Sequence, residues 1–248
     1  TPSEITRFSA EQTVQPALHE RFQEYLIEER GWREVEAQES ETVYELINDL
    51  TPKKSLIRGL LEDVVDEFYV VDPACGSGHY LTSVLEEIVS IRTALYAQMD
   101  SHPSRFRLKK TTVQNNIYGV DIVGPAVEIG KLRCWLSIVA ELSNDEVDTL
   151  DTAELALPNI AFNLRTGNSL IGFTTFPEST DDGGYTLEAF NQDSVRSRYQ
   201  DVIEQINKYE RAGKQGLSER AEDHYRKAHH LLEEYRPELD SLIYDEFL

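Results

Sequence analysis

Residues 68–81 have the sequence FYVVDPACGSGHYL, in which a short apolar run ends at an acidic residue and a glycine-containing turn follows. The β-branched and aromatic residues, with Pro73 directly behind them, predict a buried strand over 68–72. Gly76 and Gly78 give the backbone the freedom that a tight turn needs, and apolar residues at helical spacing after the turn predict a long helix. A unit of this kind presents a backbone turn and a helix N-terminus to a ligand.

The chain around this unit alternates predicted helices and strands. Two more strands are predicted over 116–121 and 160–165, and residues 100–114 are predicted to form a polar loop. A helix from Pro125 follows the second strand. Its apolar residues are expected to face inward: Val127, Ile129, Leu132, Trp135, Leu136, Ile138 and Val139. Alternation of strand and helix in this order predicts a parallel α/β sheet.

Three regions follow from these patterns. Residues 1–50 form an N-terminal helical region, and residues 51–175 form the α/β core. Residues 183–248 contain two amphipathic stripes separated by glycines, which predict a C-terminal helical hairpin.

The composition is acidic. There are 45 acidic and 24 basic residues, which gives a formal charge of −21, and the bases are 16 Arg and 8 Lys. Taken alone, this charge argues against a protein that binds DNA by neutralising phosphates. A carboxylate-rich, lysine-poor surface is typical of a halophile, in which salt screens the self-repulsion, and an acidic mesophile protein is the plainer alternative.

Other classes of protein are excluded by simple patterns. No apolar run approaches the ~20 residues that cross a bilayer, and no signal-peptide pattern opens the chain, so we expect no membrane partner. Cys75 and Cys134 are too few for a disulfide framework, which indicates a cytoplasmic location. Two cysteines without clustered histidines also make no zinc site, so no metal ligand is predicted.

Three kinds of nucleotide site compete for the turn at 76–78. A P-loop needs Gly-Lys-Ser/Thr at the helix start, and the chain has none there. A nicotinamide site needs a third glycine at the position of Leu81 and an acid about 20 residues later, whereas Asp121 lies 43 residues beyond Gly78. The remaining interpretation is a class I methyltransferase that binds S-adenosylmethionine.

The motifs themselves resemble those of one family. Residues 72–81 resemble motif I of the amino-group DNA methyltransferases, and Tyr118–Ile122 with the following helix resembles motif II. Residues 157–160 and 167–172 resemble motif III of large single-chain restriction–modification and phage-defence adenine methyltransferases, of type IIG or BREX-like systems. Thr51-Pro52 is similar to the upstream motif. This order is that of the γ class, which modifies the N6 amino group of adenine.

The resemblance implies a partial class I methyltransferase (Rossmann-like) fold and a set of cofactor-binding residues. Asp72 would lie near the methionine amino group, Asp121 would bind the ribose, and Asn168 would meet the adenine of S-adenosylmethionine. Ile122 would pack on that ring, and Thr51 belongs to the motif that covers the methionine carboxylate. The full set expected to bind the cofactor is Thr51, Asp72, Ala74, Gly76, Gly78, Asp121, Ile122 and Asn168. A solvated strand-end acid and a turn asparagine are the plainer interpretations of Asp121 and Asn168.

The catalytic motif of the family is missing. Methyl transfer to an adenine amino group uses a flipped base and an Asn/Asp/Ser-Pro-Pro-Tyr/Phe tetrapeptide. The nine prolines of this chain are never adjacent, so no catalytic residue is predicted. We expect an N-terminal portion of a longer enzyme that binds cofactor but is inactive alone. DNA would then be a partner of the parent protein. The unpaired edge of the strand at 68–72 would then be covered by the C-terminal hairpin or would favour self-association.

Two other functions stay open. The chain could be a non-catalytic S-adenosylmethionine-binding module, or its parent could methylate RNA or protein, because cofactor motifs do not define the acceptor.

Overall fold

The computed structural model describes residues 2–30, 40–50, 54–143, 147, 150, 155, 160, 162–170, 200–209, 211–212 and 218–247. It divides into two compact units. The first comprises Thr1–Leu150 and Leu157–Ser169, and the second comprises Asp151–Ala156 and Leu170–Leu248. No helix in the described part is both long and apolar enough to span a membrane. Each unit is considered by itself below.

The first unit is a mixed α/β structure in which helices dominate. Its helices are α1 (Ser3–Arg30), α2 (Val43–Asp49), α3 (Lys54–Gly59), α4 (His79–Ala97), α5 (Arg105–Asn116) and α6 (Gly124–Val139). A π-helical turn, Leu60–Val65, continues α3. Its strands are β1 (Val70–Asp72), β2 (Ile117–Asp121) and β3 (Leu164–Thr166).

The three strands form one parallel sheet in the order β1-β2-β3. Val70 pairs with Ile117, and Gly119 pairs with Leu164, so β2 is central. The predicted parallel α/β arrangement is therefore confirmed. The first two strands are shorter than predicted, and the third lies at Leu164–Thr166 instead of 160–165, because residues 162–163 form a turn. Because the strands are parallel, their carboxyl ends share one edge of the sheet.

One face of the sheet packs on α4. Gly119 of β2 faces this helix so closely that a Cβ atom there would lie 2.8 Å from Leu81 Cδ1. Side chains alternate along a strand, so Tyr118 points to the opposite face together with its neighbour Val71, which is 60% exposed. Among the described residues β1 pairs with β2 alone, and no described strand pairs with its outer edge.

The core of this unit runs from the sheet through α4 to α1. Local signals fix several of its elements. Thr42 accepts the N–H of Glu45 at the start of α2, and the Glu45 side chain accepts the N–H of Thr42 in return, which makes a capping box. The largest fully buried side chains of the core include Phe22, Phe106, Leu18, Leu26, Leu46, Ile57, Leu81, Leu85 and Ile88.

The polar loop predicted over 100–114 is wrong, because residues 105–116 form helix α5. Ser104 caps this helix by accepting the N–H of Arg107 at 3.3 Å. Lys109 lies on the buried face of α5. A charged residue at this position interrupts the apolar periodicity from which the helix could have been predicted. Its ammonium group is satisfied by Glu86 and by Glu141, the latter at 2.7 Å.

The inward face predicted for α6 is also partly wrong. The buried residues of this helix are Val127, Gly130, Cys134 and Ile138. Four of the apolar residues expected to be buried are exposed instead, and they form one stripe along the helix: Ile129, Leu132, Leu136 and Val139. Small residues at 130 and 134 let the helix approach its neighbours closely, and this selects the buried face.

The second unit contains helical residues 200–209 and 211–212 and helix α7 (Ser218–Phe247). The two segments touch through Gln205 Oε1 and His224 Nδ1 at 3.0 Å, and through the rings of Tyr209 and Tyr225. The hairpin and the region boundaries predicted from the sequence stay predictions, because residues 171–199 lie outside the described part.

Candidate cofactor site

The turn between β1 and α4 is held by its own polar groups. Asp72 ends β1, and its Oδ1 accepts the backbone N–H of Ala74 at 3.0 Å. The N–H of Gly78 donates to the carbonyl of Cys75 at 2.8 Å. Gly76 and Gly78 have φ angles of 51° and 76°, in the left-handed region where only glycine is free of strain. The sequence therefore uses glycine at the two points where the chain reverses.

Asp121 connects this turn to the end of β2. Its Oδ2 accepts the N–H of Gly76 at 2.8 Å, and its Oδ1 accepts the N–H of Val123 at 2.8 Å. The N–H of Cys75 also donates to the carbonyl of Val120 at 2.9 Å. The acid after the second strand and the glycine turn after the first therefore lie in direct contact.

The end of β3 closes the same edge. The N–H of Gly167 donates to the carbonyl of Asp121 at 3.0 Å, and the Ser169 hydroxyl donates to the carbonyl of Pro73 at 2.7 Å. Asn168 stands between these two anchors and is exposed. Ile122, directly after Asp121, is 69% exposed. An exposed apolar side chain and an exposed asparagine thus lie beside the carboxylate.

The space in front of the turn is open at Gly76. A Cβ atom built there would meet no atom within 4 Å, whereas one built on Gly78 would lie 3.2 Å from the Cα of Gly130. Gly76 therefore faces free space, and Gly78 faces the interior. Within 4 Å of that position, no side chain of the described residues stands in the way of a ligand.

The electrostatics of the site are dominated by carboxylates. Burial raises the pKa of the Cys75 thiol to about 11, and the nearby carboxylates of Asp72 and Asp121 add to this rise. On the other side of the turn, the Arg133 guanidinium lowers the pKa of His79. Within the described residues no group of His, Cys, Asp and Glu has the arrangement of a metal site.

The structure brings most of the predicted site residues to one edge of the sheet. Asp72, Ala74, Gly76, Gly78, Asp121, Ile122 and Asn168 all lie at the carboxyl ends of the strands or in the turn. Thr51 lies outside the described residues. That these residues bind a cofactor stays a prediction.

Three residues of this region were not among the residues expected to bind the cofactor. Ser169 anchors the β3 end to the turn, while Gly130 and Arg133 of α6 contact the turn from behind. A glycine inside an otherwise apolar helix was the one available signal, because such a glycine often marks close backbone packing.

The glycine turn and the two acids thus lie at the carboxyl ends of parallel strands, which is the edge where ligands commonly bind in α/β sheets. The chain is similar to a protein of Methanocaldococcus jannaschii whose name provisionally assigns it as a type II restriction enzyme and methyltransferase. The two are 38% identical over 176 residues, which is 70% of this chain and 14% of the relative. This chain therefore spans about a seventh of the relative's length. No protein-family model matches the chain, and no solved structure matches it.

Proposed function

We propose that this chain is the S-adenosylmethionine-binding part of a DNA adenine-N6 methyltransferase that acts in a restriction–modification or related defence system. The proposal is supported by two independent observations. One is the contact between Asp121 and the glycine turn, and the other is the similarity to a protein named for restriction and methyl transfer.

The chemistry of the edge favours this ligand over a phosphate-bearing one. In phosphate-binding turns, free backbone N–H groups point at the anion. Here the N–H groups of Ala74 and Gly76 already donate to Asp72 and Asp121. Two carboxylates at the turn would repel a phosphate, and they suit a ligand with hydroxyl and ammonium donors. S-adenosylmethionine has both, on its ribose and on its methionine end.

The residues of the edge fit this cofactor. Each carboxylate oxygen of Asp121 accepts one backbone hydrogen bond and keeps capacity for another, so it can accept from ribose hydroxyls. Asp72 would hold the methionine ammonium group, and the open backbone at Gly76 would pass beside the cofactor. Ile122 and Asn168 would meet the adenine ring. When bound, the cofactor supplies the methyl group on its sulfonium sulfur.

We expect this chain by itself to bind cofactor without methylating DNA, because it contains no adjacent prolines and hence no Asn-Pro-Pro-Tyr-like motif. Contacts to DNA would be made by the parent protein. The finer assignments to the γ class, to adenine and to a haloarchaeal source are part of the proposal. The last is supported by 16 Arg against 8 Lys in a chain of charge −21.

Calorimetric titration with S-adenosylmethionine tests the site. We expect the Asp121→Ala variant to bind at least about tenfold more weakly than the wild type, since hydrogen bonds to a charged group are lost. The control is Glu128→Ala, which removes an exposed carboxylate of α6 that pairs with Lys131 within the same helix. Equal binding by wild type and Asp121→Ala, or tighter binding of ATP or NAD, would contradict the proposal.

A further inference from the structure

Helix α6 supports the glycine turn from behind at two positions one helical turn apart, Gly130 and Arg133. A Cβ atom on Gly130 would lie 3.5 Å from the carbonyl carbon of Ser77, 3.6 Å from the nitrogen of Gly78 and 3.7 Å from the oxygen of Gly76. The backbone of the turn thus runs against the backbone of the helix, in a contact that glycine at 130 leaves uncrowded.

Arg133 adds a directed interaction to this packing. Its Nε donates to the carbonyl oxygen of Ser77 at 2.9 Å. Ser77 is the residue between the two left-handed glycines, so this bond holds the middle of the turn. Its donor is charged, and hydrogen bonds from charged donors are stronger than neutral ones.

The turn needs such support because of its composition. Glycine loses more conformational freedom on ordering than any other residue, and two glycines within three residues give the turn many alternatives to the observed shape. Asp121 fixes the turn from the ligand side at Gly76, and Arg133 fixes it from the opposite side at Ser77.

We propose that Arg133 is a positioning residue that keeps the 76–78 turn in the conformation that binds cofactor. The inference rests on the proposed function for its effect on ligand binding. Its effect on the turn itself does not depend on any ligand.

The test compares three variants of the full chain. Arg133→Met keeps an unbranched apolar stem that reaches as far as the position of Nε but removes the donor and the charge. Arg133→Lys restores a charged donor one atom farther along the side chain. Lys131→Met is the control, because it makes the same charge change on the same helix at a residue that pairs with Glu128.

Three quantities are measured: affinity for S-adenosylmethionine by calorimetry, hydrogen exchange of the Gly76 and Gly78 amides, and the urea midpoint of unfolding. We expect Arg133→Met to bind about tenfold more weakly and its two turn amides to exchange about tenfold faster, as the loss of one charge-assisted hydrogen bond implies. Arg133→Lys should restore most of the cofactor affinity and most of the slow exchange at the two amides. Relative to Lys131→Met, the urea midpoint of Arg133→Met should fall by no more than the loss of that one hydrogen bond accounts for.

Unchanged exchange at Gly76 and Gly78 in Arg133→Met would overturn the inference. An equal loss of cofactor affinity in Lys131→Met would also overturn the inference. Faster amide exchange throughout the chain would do the same, because the effect of the substitution would then be global. If the wild type fails to bind the cofactor, the proposed function fails, while the exchange measurement still decides the role of Arg133.

Discussion

The Asp121 carboxylate accepts the backbone N–H of Gly76 at 2.8 Å, although the two residues are 45 positions apart in the chain. This contact joins the end of the central strand to the turn after the neighbouring strand. The same carboxylate also accepts the N–H of Val123, so it organises the starts of two connections at once. Asp121 therefore has a structural role that is independent of any ligand.

Substitution of Asp121 should reveal its structural role in the absence of any ligand. Asp121→Ala removes both acceptors, and we expect the free energy of unfolding to fall by about 1 kcal/mol, the net value of a typical hydrogen bond at a site that water can reach. Asp121→Asn keeps one acceptor oxygen and should lose less stability. Urea unfolding followed by circular dichroism measures both. Equal stability of Asp121→Ala and the wild type would show that the contacts of Asp121 with Gly76 and Val123 together contribute nothing.

The two turn glycines should respond differently to alanine. Gly76→Ala introduces left-handed strain of about 1 kcal/mol with no clash, because its Cβ would meet nothing within 4 Å. Gly78→Ala adds a 3.2 Å contact with the Gly130 backbone to similar strain, so we expect a loss of about 2 kcal/mol or more. Urea midpoints check the order of the two. Cofactor affinity should fall more in Gly76→Ala than in Gly78→Ala, because the Cβ atom at 76 would occupy the open space in front of the turn.

Lys109 should be important for the stability of α5. Its side chain is 3% exposed, and it contacts Glu86, Glu141 and the Ser137 hydroxyl. Lys109→Met should lower the free energy of unfolding by about 2 kcal/mol, less than for a fully buried pair because both glutamates reach solvent. Lys110→Met, a neighbouring and less buried lysine, is the control. A loss no larger than that of the control would contradict the importance of the network.

The same network gives a pH dependence. The hydrogen bond from Lys109, together with the charges of Lys109 and Arg105, lowers the pKa of Glu141 from its usual 4.5, although burial opposes this. A carboxyl group whose folded pKa is lowered contributes stability above its unfolded pKa and loses it as the pH falls through the folded value. The stability difference between wild type and Lys109→Met should therefore narrow below pH 4.5. Urea unfolding of both proteins in steps below neutral pH measures it, and a constant difference would exclude this role of Glu141.

Self-association through the outer edge of β1 can be tested by mass. Among the described residues β1 pairs with β2 alone, and an unpaired strand edge favours pairing with another chain. We expect light scattering to show an associated species that Val71→Lys disperses. The control is Ile129→Lys on the exposed stripe of α6, which tests for association through exposed apolar side chains in general. A wild type that is monomeric at every concentration, or dispersal by Ile129→Lys alone, would contradict pairing through β1.

The turn and the two acids could be predicted from sequence because each leaves a local signal. Glycine at 76 and 78 and an acid directly after each apolar strand are visible without tertiary information. Helix α5 could not be predicted in this way, because the stabilising partners of the buried Lys109 come from α4 and from the segment after α6. The buried face of α6 was misjudged for a related reason: close packing favours Gly130 and Cys134 over larger apolar residues, and a hydrophobicity pattern ranks them in the opposite order.

Cys75 and Cys134 are both buried as free thiols, and the pKa of each is raised to about 11, chiefly by burial. Thiolate is the species that reacts with maleimides and iodoacetamides, so neither residue should be modified readily near neutral pH. The native chain should therefore react little with thiol reagents at this pH. One cysteine introduced at an exposed position such as Thr111 would accept a fluorophore or spin label selectively, without removal of either natural cysteine from beneath the turn or from α6.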